Sequence, residues 1–166
     1  MLYRWHVRSS EKRGDEVGYG RKGKGTTVEV IVDAHGLHGL PVAVHTAGAD
    51  VHETRLVDPV LARRFVHELP IRLGADKAYD SGQLRGDLAR KGIELIARHR
   101  ANRVKPATQD GRKARRLKRR WKVERTNAWL KAFRRLQVRY EWHAANFEAF
   151  VYLACMLVLL RSVKIH

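Results

Sequence analysis

Two acids in this chain sit where their carboxylates could do chemistry. Glu124 is the one acid in residues 120–136, RWKVERTNAWLKAFRRL. At the helical period of 3.6, a helix over 120–136 brings Arg120, Glu124 and Lys131 onto one narrow stripe. Trp121, Ala128, Trp129, Ala132, Phe133 and Leu136 fall on an apolar arc beside it. Arg125 points into that arc, where a long stem can snorkel towards solvent. Two readings stay open for the stripe. One is an ordinary surface ion pair at i,i+4. The other is a carboxylate metal ligand at a phosphoryl-transfer site, bracketed by cations. Asp76 is the second acid. It closes a short apolar strand predicted over 71–75 (IRLGA), at the carboxyl end where open α/β sheets gather their chemistry. Hard divalent cations take oxygen ligands, which carboxylates supply.

The elements that must position these acids can be read from patterning. Residues 1–25 are polar, basic and glycine-studded, with GYGRKGKG at 18–25, and read as a remnant of a first strand plus a flexible loop able to lie along phosphates. The tract lacks GxxxxGK[ST] and is not a nucleotide P-loop. Residues 26–166 read as one domain. TTVEVIVD (26–33) and LPVAVHT (40–46) are β-branched runs that pair as a hairpin. His35 and His38 at its turn lack the further ligands a zinc site needs. Asp58-Pro59 reads as a helix start running to about Glu68, with Pro70 beyond it. Asp80 or Ser81 caps the next helix, Leu84 and Leu88 face inward, and Gly92 ends it. Residues 93–97 form another strand, and 98–119 a basic connector. Asn146 caps a last helix from Phe147 to about Val163, apolar nearly all round and therefore buried. Strands and helices in this order give a mixed α/β layer fold.

Composition narrows the function classes. The 166 residues carry 34 Lys+Arg against 17 Asp+Glu, a formal net charge of +17. A surplus that large attracts polyanions, nucleic acid first among them. Half of these cations fall in residues 98–140, beside only Asp110 and Glu124. Arg112, Lys113, Arg115, Arg116, Lys118, Arg119 and Lys122 therefore read as a clamp on a DNA backbone. Strand-borne stacking aromatics of an RNA-binding module are missing. The lone Cys155 cannot form an internal disulfide, which suits the cytoplasm. The longest apolar run, residues 149–160, is short of a bilayer span, so no membrane is expected.

Four tracts carry a family resemblance: GADKAYDS (74–81), LARKGIELIARHR (88–100), RRWKVERTNAWLKAFRRL (119–136) and NFEAFVYLACMLVLL (146–160). Together they resemble the catalytic domain of bacterial insertion-sequence DD-E transposases, from about Gly23 onward. The resemblance implies a ribonuclease-H-like mixed sheet flanked by helices, with the first strand incomplete or altered. It implies DNA transposition by metal-dependent phosphodiester cleavage and strand transfer. Asp76 and Glu124 would be catalytic and metal-binding, around two Mg²⁺ (or Mn²⁺) ions about 3.5–4 Å apart. Arg120 and Lys131 match the family's Tyr–Arg–Glu–Lys signature and would contact double-stranded DNA, transposon ends and target. The signature tyrosine is replaced by Leu117. The family's first aspartate maps near Tyr3, and no acid stands there. The chain is accordingly expected to be N-terminally truncated or frameshifted and inactive alone; the alternative is a DNA-binding remnant or an inhibitor of a full-length transposase. A homodimer, association with such a transposase, and a nucleoid location are the corresponding expectations. Asp33 ends an antiparallel strand and is rejected as a substitute ligand. Asp50 and His52 emerge on the correct side but read as an ordinary polar loop.

Overall fold

The computed structural model describes residues 1–9, 14–33, 39–99 and 115–163. His35 and His38 lie outside them. The described chain is a mixed α/β structure with four α-helices. β1 (Leu2–Ser9) is flanked along its length by β3 (Gly23–Val32), antiparallel, from Leu2 opposite Ile31 to Arg8 opposite Gly25. β2 (Gly18–Gly20) pairs with the start of β3 on the opposite flank, and β4 (Pro41–Gly48) with the rest of that flank. The β3–β4 hairpin follows from the β-branched run that predicts it. β5 (Arg72–Ala75) and β6 (Glu94–Ala97) form a separate parallel pair. β5 packs beside the start of β1: a Cβ on Gly74 would come within 3.1 Å of the Met1 side chain. β7 (Val138–Arg139) joins the end of β1 in parallel.

Helices cover both faces. α1 (Glu53–Ala62) and α2 (Gly82–Arg90) enclose one core with Leu2, Ile31, Leu73 and Leu95. α3 (Trp121–Lys131) and α4 (Ala144–Ser162) enclose the other with Trp5, Val7, Val28 and Val30. The period-2 alternation of a strand lets β1 send Leu2 to the first core and Trp5 and Val7 to the second.

Several expectations are corrected. Leu2–Ser9, read as the remnant of a first strand, pairs with β3 over Leu2–Arg8, and Gly18–Gly20, read as loop, pairs with Gly23–Gly25. α1 starts at Glu53, not at Asp58, because His52 caps it by accepting the Thr54 amide. Pro59 therefore lies inside the helix, where it removes one donor; Arg55, whose carbonyl loses that partner, is exposed to water. The helix over 120–136 is really a 3₁₀ turn (Arg115–Arg120), α3, and a second short turn (Arg134–Leu136). The buried face of α3 is Lys122, Val123, Thr126, Asn127 and Leu130; of the expected arc, Leu136 is buried and Trp129 and Phe133 pack partly buried against the core, while Trp121 and Ala128 are exposed. Trp121 is 50% exposed. The cause is polar: the Thr126 hydroxyl donates to the Gly39 carbonyl, so α3 docks against the chain at Gly39 through Thr126. α4 begins at Ala144 behind His143, not at Asn146. It buries Phe147, Val151 and Cys155 but leaves Leu153, Met156, Leu157 and Leu160 exposed, so it is not buried all round. At 19 residues it is long and apolar enough to cross a membrane by length and composition alone, a test that soluble core helices also pass.

Candidate nucleic-acid interface

Asp76 stands at the carboxyl end of β5 because the strand stops there and the chain turns. Its Oδ1 accepts the Lys77 amide at 2.7 Å, capping the 3₁₀ turn Lys77–Tyr79. Glu124 projects from the first turn of α3. Arg120, the residue before that helix, meets both acids. Its Nη1 and Nη2 donate to Asp76 Oδ1 and Oδ2 at 3.2 and 3.5 Å, and its Nε lies 3.4 Å from Glu124 Oε1. The structure thus brings together Asp76, Glu124 and Arg120. All three side chains are substantially solvent-exposed, at 44%, 59% and 44%, so each ion pair is worth little by itself.

Asp76 and Arg120 lie on the wall of a cleft of about 900 Å³. The same cleft is lined by β1 through Tyr3, Arg4, Trp5 and His6, by Tyr19 of β2, and by Arg21 and Lys22 of the turn between β2 and β3. Tyr3, near which the resemblance would place an aspartate, lines this cleft. Leu117 lies beneath it, buried against Gly74. Asp50 and His52 also line the cleft. Asp33 does not; it sits beside the Met1 ammonium.

Sequence reasoning missed a second set of ionisable groups below this wall. Glu29 is fully buried in β3 and accepts the Tyr79 hydroxyl at 3.1 Å. Burial pushes its carboxyl up to about 8. Burial, then the Glu29 charge, pushes the Tyr79 phenol up as well. Arg4, paired across the strands with Glu29, bonds Glu53 at 2.8 Å. The one available signal was an acid in the middle of an apolar strand, TTVEVIVD.

The cations expected to form a clamp are placed as follows. Arg115, Lys118 and Arg119 are exposed, whereas Arg112 and Lys113 lie outside the described residues. Arg116 belongs to the same 3₁₀ turn. Lys122 is a correction: at 7% exposure it is packed into α3's buried face and is no part of an exposed clamp. Arg125 does not snorkel alone; its guanidinium lies 4.9 Å from each of the Trp121 and Trp129 rings, a cation–π sandwich. Lys131 is exposed at the end of α3, yet burial and the charge of Lys22 lower its pKa.

Residues 4–159 match the family model for the transposase DDE domain. The chain belongs to the transposase DDE-domain family. A protein of Burkholderia cepacia, named as a candidate transposase for insertion sequence element IS402, is 33% identical over 148 residues. The match covers 84% of this chain and 65% of that relative, so the chain spans about two thirds of its length. No solved structure matches.

For a DDE-domain chain, the donor set is short. Among the described residues no three His, Cys, Asp or Glu side chains stand close enough to hold a metal ion together. Asp76 and Glu124 are an all-oxygen pair that fits one hydrated divalent ion, since Mg²⁺ keeps several waters and takes one or two carboxylates. They do not fit two ions.

Proposed function

We propose that this chain is a DNA-transposition domain of an insertion-sequence element that binds double-stranded DNA in its basic cleft and, as this isolated chain, does not cleave it. The fold behind this reading is ribonuclease-H-like. What supports it is the antiparallel run of β4, β3 and β1, with the separate parallel pair β5–β6, which Asp76 follows, packed near the start of β1. The observation that carries the reading is the shared guanidinium of Arg120. It neutralises the two acids that would otherwise hold a metal, and the cleft that Asp76 and Arg120 line carries Tyr3 near where the family resemblance calls for a further carboxylate.

Asp76 and Glu124 are the residues that would hold a divalent ion, Mg²⁺ or Mn²⁺, which polarises a phosphodiester and activates a water when bound. The chain's own residues do the rest. Arg120 can exchange its carboxylates for a phosphate, which its planar fork suits. Lys77 and Arg4 border the same cleft. Arg115, Lys118 and Arg119 extend the positive surface at the foot of α3, and backbone phosphates are their partners. Transposon ends and target DNA are the duplexes concerned, within the nucleoid.

The binding-only alternative, a remnant or an inhibitor of a full-length transposase, is favoured over the enzyme by that same Arg120 bridge. Binding is tested by anisotropy of a labelled duplex across a salt series. The expected result is affinity falling steeply with salt, with a slope of several, as phosphate neutralisation demands. Flat or undetectable binding at low salt overturns the reading.

A further inference from the structure

α4 presents an apolar stripe to solvent. Leu153, Met156, Leu157 and Leu160 recur at i, i+3, i+4 and i+7, the spacing of one helix face. Their exposure runs from 40% at Leu157 to 56% at Leu160. The other face of α4, through Phe147, Val151, Ala154, Cys155 and Val158, packs into the second core. The stripe is therefore surplus to what this fold buries. Exposed Ala149 prolongs it by one turn. It also widens at Tyr152, whose ring lies 5.8 Å from that of exposed Phe65. The four stripe residues leave on the order of 400 Å² of apolar surface in water, the size at which a patch marks an interaction site.

We propose that this stripe is a self-association surface, joining two copies of the chain antiparallel about a two-fold axis. Charge points to a second copy as the occupant. Like charge keeps copies of a chain at +17 apart, yet between Glu148 and Arg161 α4 carries no charged residue. A two-fold axis between Met156 and Leu157 makes the stripe self-complementary, Leu153 meeting Leu160 and Met156 meeting Leu157 of the second copy. That arrangement opposes the helix dipoles and sends Arg161 towards the Glu148 end of the second copy. A parallel pairing would set Arg161 against Arg161. Area agrees with the charge. Two stripes with their Tyr152 and Phe65 margins remove about 1,000 Å² in all, close to the lower limit for a specific interface. The stripe shares no residue with the lining of the Asp76–Arg120 cleft, and the proposal does not depend on the DNA reading.

The test uses the whole chain, freed of nucleic acid in high salt, in sedimentation equilibrium over a concentration series. The mass should rise from the 19.1 kDa of one chain towards twice that through the micromolar range, the weak end for interfaces of modest area. Leu157→Glu should hold it at one chain without shifting the urea midpoint, because the side chain is exposed. A short bis-maleimide reads the orientation, since the native Cys155 is buried and its thiol pushed up to about 12. Leu153→Cys mixed with Leu160→Cys should couple faster than either variant alone. A single-chain mass at every concentration overturns the proposal, as does a dimer that Leu157→Glu leaves intact. Faster coupling of like variants overturns the antiparallel axis. Uptake of a monomeric chain by phosphatidylcholine–phosphatidylglycerol vesicles, lost in Leu157→Glu, would assign the stripe to a lipid surface and overturn the proposal as well.

Discussion

Asp76 and Glu124, carried by different elements, share one cation, the guanidinium of Arg120, at 3.2 and 3.4 Å. A divalent ion and this arginine compete for the same oxygens. Replacing Arg120 by Gln should therefore raise Mn²⁺ affinity about 3- to 10-fold, the scale of one or two exposed ion pairs. Water-proton relaxation in a Mn²⁺ titration reads this directly. Equal affinity in both proteins would mean that the guanidinium does not compete.

Glu29 makes stability pH-dependent. Burial raises its folded-state pKa to about 8 from the usual 4.5, so the folded chain keeps a proton that the unfolded chain has released. Stability from this group is complete below about 4.5, falls as pH rises between 4.5 and 8, and is fully lost above that window. The loss is on the order of a few kcal/mol. Glu29→Gln should flatten the dependence of urea midpoints on pH between 5 and 8. A slope equal to that of the unaltered chain would show Glu29 to be ionised in the fold.

The buried face of α3 can be checked by truncation. Leu130 is fully buried, and Leu130→Ala should cost about 2–5 kcal/mol in denaturant unfolding. Trp121→Ala removes a half-exposed ring and should cost about 1 kcal/mol or less, mainly the contact with Arg125. The reverse order would restore the tryptophan arc as the packed face.

Arg139 ties the segments at Asp15 and at Glu141–Trp142 to β3. Fully buried, it donates to the carbonyls of Glu141, Asp15 and Trp142 and to the Thr26 hydroxyl, and its guanidinium lies 5.6 Å from the Phe147 ring. Arg139→Met keeps the stem and strands those acceptors, so it should destabilise by about 3 kcal/mol or more. A loss below about 1 kcal/mol, on the scale of one ordinary hydrogen bond, would mean that water replaces the guanidinium.

What could be read in the sequence follows the physics of each segment. The β3–β4 hairpin, the strand before Asp76, and the helix stopped at Gly92, with φ +74°, announce themselves by β-branched runs and a left-handed stop. β1 does not, because Arg4, His6 and Arg8 interrupt its apolar pattern. Arg4 and His6 are accommodated by the cleft and Arg4 by Glu53, while Arg8 is exposed. α3's face was misplaced for a related reason. Thr126 is buried because it bonds backbone, and Trp121 is exposed because it stacks on a cation. Hydrophobic counting weighs neither effect. Strand end and helix stripe marked Asp76 and Glu124 one at a time, and it was the family resemblance that put them in one site. The resident Arg120 between them needed coordinates, since spacing alone pairs it only with Glu124.

The most direct measurement is nicking of supercoiled plasmid by the purified chain in Mg²⁺ and in Mn²⁺, run beside Glu124→Gln under conditions where both bind DNA. The account predicts retarded plasmid with no nicking above the metal-only background in either protein. Divalent-dependent nicking by the unaltered chain that disappears in Glu124→Gln would contradict it, and would make Asp76 and Glu124 a sufficient catalytic pair.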